Sequence, residues 1–282
     1  MTNSSTITTV KQDSKIHATA IIAKGAKIGS NVEIGPYSVI GENVEIKEHT
    51  YIGPHVILEG KTEIGANCKL IAACSIGFPP QDINYKDELT GVKIGDGTTI
   101  REYVTIHRAA KAGYTEVGKN CFLMNYVHIG HNVVVGNNVI MANSATLPGY
   151  VTVGDYTFIS GLSAIHQHCR IGESVMFGGM TGSRLDVPHY FIADGRPAKL
   201  RGVNKVGLRR RGVKRDVINE IEKAFKILYQ ESSNTTKALE RIATELVQHD
   251  EIKKIVEFYK TTKRGVVATG NISAGSDIEL TL

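Results

Sequence analysis

The stretch "NYVHIGHNV", residues 125–133, sets two histidines three apart, and "AIHQHC", residues 164–169, sets two more two apart. A histidine in such a place does one of three things. It takes a proton near neutral pH, because its unperturbed pKa of about 6.5 lies where abstraction works. It ligates a metal. Or it is a solvated bystander. His128 and His131 alone do not decide among these. Where each side chain points decides it, and that is set by the elements that carry them.

Those elements count in sixes. An apolar residue recurs every six positions from Ile16 to Ile76, again at Ile94, Ile100 and Ile106, and again from Val117 to Phe177. Two residues before each stands a smaller one, such as Ala26, Val32, Ser38, Val44 or Thr50, and Gly commonly comes next after the apolar residue. Helices need spacings of three and four, and sandwich strands need alternating runs between varied turns. A period of six fits a short strand with one large and one small inward residue, followed by a tight corner. Three such coils close a turn of 18 residues, and stacked turns make a parallel β-helix, all-β in class, with a small α-helical domain after it.

The expected segments are a polar N-terminal piece at 1–13, the hexad β-helix at 14–190, a helical domain at 191–264 and a flexible tail at 265–282. Helical spacing runs from 216 to 260, with a polar break and start signal in "ESSNTTKALE". Cys68, Cys74, Cys121 and Cys169 all take the small inward position, which marks them as buried thiols of a reduced compartment.

This frame gives the histidines a direction. His128 precedes inward Ile129 and points out; His131 falls on the next corner. Adding 18 leads to Gly149 above His131, then to Gln167. His128, His131, Tyr150, His166 and His168 therefore gather on one edge. Residues 77–93 and 107–116 break the count. If each is one coil with an insertion, rather than the first hiding two further coils, both loops leave from that same edge. The result is a groove walled by loops and floored by histidines. A general base there, the bare N–H of Gly149 for an oxyanion and a basic cluster for an anion would together suit acyl transfer to a hydroxyl or amine.

Residues 199–215 hold eight Lys or Arg and no acid within a chain of formal net charge +5. Such a cluster attracts phosphates or an acidic protein. Nucleic acid is not expected, since no aromatic stacking platform accompanies it. No apolar run approaches the ~18 residues that span a bilayer, and the N-terminus lacks an apolar signal core, so a cytoplasmic protein without stable membrane insertion is expected.

The hexad register with "NYVHIGHN", "AIHQHC", "SIG" and "PQD" (75–77, 80–82) and "NKVGLRRRG" (204–212) resembles the UDP-N-acetylglucosamine acyltransferases that begin lipid A synthesis, from about residue 14 to 265. The resemblance implies a left-handed β-helix homotrimer with sites between subunits. It implies transfer of an (R)-3-hydroxyacyl chain from acyl carrier protein to the glucosamine 3-position of the UDP-sugar, with no cofactor beyond the carrier-bound thioester. It further implies that His131 is the general base and Gly149 the oxyanion donor, and that His128, Tyr150, His166 and Gln167 line the sugar-nucleotide and pantetheine pocket. Gln81 and Asp82 would reach the sugar, Asn204, Arg210 and Arg211 would bind the nucleotide and its phosphates, and Met176 and Gly179 would gauge acyl length.

Three positions depart from the family pattern. Asn132 stands where Asp is common, Tyr150 where a third His is common and Asn84 where Lys is common. The last two leave a 3-hydroxyl and a 3-amino acceptor both open. Two other classes remain as rivals: a carbonic-anhydrase-like β-helix holding zinc with histidines of two subunits, and a scaffold without activity.

Overall fold

The computed structural model describes residues 9–270. Short parallel strands line three faces of a prism. The first face runs from Thr9–Val10 to Arg170–Ile171, the second from Lys15–Ile16 to Met176–Phe177 and the third from Ile21–Ile22 to Gly182–Ser183. Neighbouring rungs pair residues 18 apart, as in Ile28 with Ile46 and Ile129 with Leu147. Where the count breaks, Ile64 pairs with Ile94 and Ile94 with Val117. Each break is therefore one coil with an insertion, and both loops leave from the third-to-first edge.

The prism extends one coil before residue 14, since Thr9–Val10 pairs with Lys27–Ile28. Residues 1–8 lie outside the described part. The beat also continues once more, to Ser183 beside Ile165.

The core is what the period requires. From Ala26 onward the large inward residues and the smaller ones two before them are buried, the four cysteines included, while Ile16, Ala20 and Ile22 at the lower end are partly buried. Inward hydroxyls are satisfied across the coil: Ser38 Oγ donates to Gly53 C=O at 2.7 Å, and Thr157 Oγ1 to Gly172 C=O at 2.7 Å. A hydroxyl so partnered avoids the cost of a buried unsatisfied group. Each buried Ile contributes about 1.5–3 kcal/mol, and burial pushes the Cys74 thiol up to about 12, which keeps it an inert packing group.

Corners repeat a fixed conformation in which the second residue has positive φ, as at Asn31, Asn67, Asn120 and Asn138. Asn tolerates this region better than most residues. On the first-to-second edge the corner N–H groups are taken by side chains one turn above. Lys119 N–H donates to Asn137 Oδ1 and Asn137 N–H to Asp155 Oδ1, both at 2.8 Å.

At the upper end a hairpin, Phe191–Asp194 with Lys199–Val203, lies on Met176–Phe177. The segment expected to be helical from 191 thus begins as strand, and helices start at Lys205. They are α1 (Lys205–Arg210), α2 (Arg215–Lys226), α3 (Thr235–Glu245) and α4 (Asp250–Thr261). Asn234 caps α3 by accepting from Lys237 N–H at 3.1 Å, so the start signal in "ESSNTTKALE" is used as read. α2 buries Val217, Ile218, Ile221, Ala224 and Phe225, and Phe225 meets Phe191 edge-on at 5.1 Å.

Residues 265–270, expected to begin a flexible tail, are docked instead. Val266 and Thr269 bridge to Asp186 and Leu200, and Val267 is buried, because their backbone groups complete the hairpin layer. Residues 271–282 of that tail lie outside the described part.

Candidate active site

The third-to-first edge holds the histidines as the register requires. His131 occupies the first position of its corner and Gly149 the same position one turn above. A Cβ placed on Gly149 would stand 2.5 Å from His131 Nε2. Only glycine lets the two rungs close over the imidazole. Tyr150 meets His131 edge-on at 5.1 Å and stacks on His168 at 4.7 Å. His166 and Gln167 are exposed on the next rung, with His166 Nδ1 3.1 Å from Gln167 O.

Gly149 differs from its counterparts on the first-to-second edge. Gln167 above it is no Asp or Asn, and among the described residues nothing accepts from the Gly149 N–H. A donor is thus left free beside a proton acceptor.

His128 sits one rung position away, half-buried, with Nδ1 2.8 Å from Thr105 Oγ1. Burial holds its pKa below the ordinary imidazole value. His107 is a site residue that the spacing assigns to the second loop. It is instead the last residue of the strand Thr105–His107 and meets His128 edge-on at 5.2 Å. Burial first, then the fields of His128 and His131, lower its pKa to about 4. Its phase, one residue after inward Ile106, is the signal in the sequence that points to it.

The loops close on this edge. Asp82 accepts from Asn84 N–H at 2.9 Å; that bond first, with the nearby His131 and Lys111 among the further causes, holds its carboxyl below the usual range. Asn84 thus positions Asp82. Gln81 beside it is exposed. Arg108 at the start of the second loop donates to Tyr85 Oη at 2.9 Å and to Gly77 C=O at 3.1 Å, fastening the first loop down. The residue after His131, Asn132, places Oδ1 3.0 Å from His131 Nδ1.

The remaining expected residues lie elsewhere on the chain. Asn204 caps α1, accepting from Gly207 N–H at 3.0 Å, and its Nδ2 donates to Ser174 C=O at 2.9 Å. Arg211 is committed to Glu173, donates to Ser174 Oγ at 2.9 Å and lies over the Tyr156 ring at 4.3 Å. Arg210 is exposed with no acidic partner among the described residues. Residues 173–174 form a first-to-second corner, so this group sits on a different edge from His131. Met176 points outward on the second face, and Gly179 lies on the second-to-third edge, where a Cβ would meet nothing nearer than 3.8 Å. Among the described residues no three His, Cys, Asp or Glu side chains gather into a metal-sized cluster.

Comparison with known proteins decides the family. Residues 186–267 match the family profile described as Udp N-acetylglucosamine O-acyltransferase, domain 2, and residues 7–42 and 114–149 match bacterial transferase hexapeptide repeats. A curated acyl-[acyl-carrier-protein]–UDP-N-acetylglucosamine O-acyltransferase of Thermodesulfovibrio yellowstonii is 51% identical over 254 residues, covering 89% of this chain and 98% of that protein. The chain belongs to the UDP-N-acetylglucosamine O-acyltransferase family.

Solved structures agree. The family member from Campylobacter jejuni superposes with a TM-score of 0.84 at 34% identity, over 91% of this chain and 100% of that one. The one from Bacteroides fragilis 9343 gives 0.82 at 36%, over 92% and 99%. The prism of this acyltransferase winds left-handed, against the usual right-handed preference of parallel crossovers. That preference comes from long crossovers packing on a sheet, and coils of six residues have none.

Proposed function

We propose that this chain transfers an (R)-3-hydroxyacyl group from acyl carrier protein to the glucosamine 3-hydroxyl of UDP-N-acetylglucosamine, the first step of lipid A biosynthesis. The observation that carries the chemistry is His131 Nε2 lying under Gly149, whose N–H is uncommitted. In the reaction Nε2 takes the proton of the 3-hydroxyl as its oxygen attacks the thioester carbonyl. The tetrahedral oxyanion accepts from Gly149 N–H. Collapse breaks the C–S bond, and the imidazolium returns its proton to the departing pantetheine sulfur. No cofactor is consumed.

His128, Tyr150, His166, Gln167, Gln81 and Asp82 line the same edge and supply the sugar and pantetheine contacts. The nucleotide contacts come from a second copy of the chain, because Asn204 and Arg210 stand on another edge. Three copies suit the surface. The third face carries Ile21, Val39, Ile57, Thr105, Thr146 and Ala164 outward, without a charged strand position, while the first face carries Lys27, Glu45, Lys93 and Glu116. An uncharged face covered by a sister subunit and a charged face in water suit a homotrimer. Exposed Arg201, Arg209, Arg210, Lys214 and Arg215 favour an acidic carrier. No helix of the described residues is long and apolar enough to cross a membrane, and four buried free thiols favour the cytoplasm.

Tyr150 and Asn84 leave a second reading open, acylation of a 3-amino analogue. An assay offering both sugars with 3-hydroxyacyl carriers of several lengths tests all of this. Transfer to the 3-hydroxyl sugar, reduced at least 100-fold in kcat by His131→Ala, is expected. Preference for the amino sugar selects the second reading. Absence of transfer to either, or an unimpaired variant, overturns the assignment and calls for zinc analysis.

A further inference from the structure

We propose that Asn132 is the positioning residue that fixes the tautomer of His131, and that it does so as a neutral amide gripped by the second loop. This rests on the acyl-transfer reading for the role of His131. Four contacts carry it. Asn132 Nδ2 donates to Ala112 C=O at 3.2 Å, Oδ1 accepts from Ala110 N–H at 2.9 Å, the backbone N–H donates to Thr115 Oγ1 at 2.9 Å, and Oδ1 lies 3.0 Å from His131 Nδ1.

The first two contacts sort the amide. A backbone donor faces one end and a backbone acceptor the other, so exchanging oxygen and nitrogen would create two repulsive contacts. With the oxygen toward Nδ1, that nitrogen must carry the hydrogen. The lone pair of the neutral ring is then on Nε2, beneath Gly149, where a base needs it. A carboxylate at position 132 would serve Ala110 and His131 equally well. It would, however, turn an oxygen against the Ala112 carbonyl and place a charge beside the ring. In this chain the base is held by geometry and not by charge.

The grip also ties the base to both loops. Ala110 and Ala112 belong to the second loop, and Arg108 at its start holds Tyr85 of the first. That first loop carries Asp82, whose carboxyl lies in the fields of His131 and of Lys111 of the second loop. His107 and His128 face the site from neighbouring strand positions and Tyr150 from the rung above.

The test is nitrogen NMR of histidine-labelled substrate-free protein at a pH where the ring is neutral, with His131→Ala to assign the signals. Kinetics of wild type, Asn132→Asp and Asn132→Ala accompany it. Wild type is expected to show a protonated Nδ1 and a bare Nε2. Asn132→Asp should keep that pattern and move the acid limb of kcat/KM upward by about one pH unit, since a carboxylate favours the imidazolium. Asn132→Ala should lose the pattern and lower kcat by 10-fold or more; a wrong tautomer at a histidine base costs up to about 10⁴.

A wild-type Nε2–H tautomer, or an alanine variant with the tautomer unchanged, would overturn the proposal. If Asn132→Ala does not fold, the wild-type and aspartate spectra still decide. The spectra need no turnover, so a failure of the acyl-transfer reading would show separately, as wild type without transfer.

Discussion

At the scale of single residues the site depends on what is small. Gly149 leaves the imidazole open from above, and the cost of any side chain there is steric. Gly149→Ala should lower kcat at least 100-fold, as a methyl group meets Nε2 and displaces either the ring or the rung. Its thermal midpoint should move far less than its activity, which differential scanning fluorimetry beside the assay will show. Arg210 and Arg211 are sequence neighbours with opposite expectations. Arg211 is bound to Glu173, so Arg211→Ala should destabilise by about 2 kcal/mol, seen as a lower urea midpoint. Arg210→Ala should leave the midpoint alone and raise KM for the UDP-sugar. Equal effects in the two variants would show that the distinction drawn from their partners is wrong.

At the scale of elements, Glu173 is a node at which the helical cap meets the prism. Glu173 binds Arg211 and, at 2.6 Å, Lys254 of α4, while its N–H donates to His189 Nδ1 at 2.7 Å. Burial lowers the pKa of His189 to about 4, against about 6.5 in an unfolded chain. Between those two values the unfolded state binds the extra proton, so stability rises with pH through this window and is lost as pH falls from about 6.5 toward 4. The contribution is on the order of 3 kcal/mol. His189→Asn retains an acceptor for Glu173 N–H without the titration. Its urea midpoint should therefore change less between pH 7.5 and pH 5 than that of wild type; an unchanged slope would count against His189.

Six-fold spacing encodes direction and edge, and this sets how much is legible in the chain. His128, His131, Gly149 and Tyr150 take their places from it alone, and the same arithmetic sends both insertions to their edge. It encodes nothing once the beat stops. The hairpin at 191–203 and the docking of 265–270 depend on backbone groups of a finished prism end, and no side-chain pattern announces those. Arg211 shows a second limit: a guanidinium reads the same in a sequence whether it awaits a phosphate or already holds Glu173. Asn132 shows the converse, for its partners are backbone atoms of a loop that side-chain motifs do not describe.

At the scale of the whole molecule, the 18-residue turn has a consequence for how the chain can change length. Position along the sequence below residue 77 is also rotation about the prism axis. Removing six residues keeps every inward residue inward yet turns everything before the cut by about 120° relative to the rungs after it. Removing 18 shortens the prism by a rung and restores the angle. Deleting residues 33–50 should therefore give a folded, active enzyme one rung shorter. If the chain assembles as the proposed homotrimer, deleting 33–38 should give lower faces that no longer match those of the neighbouring copies, detected as loss of assembly in light scattering and of transfer in the assay. Retention of both after the six-residue cut would refute this reading. Inheritance of length in such a chain is thus quantised: whole turns are neutral for insertion and deletion, thirds of a turn are not, and a loop that leaves and re-enters at one corner, as both insertions do, can take a segment of arbitrary size.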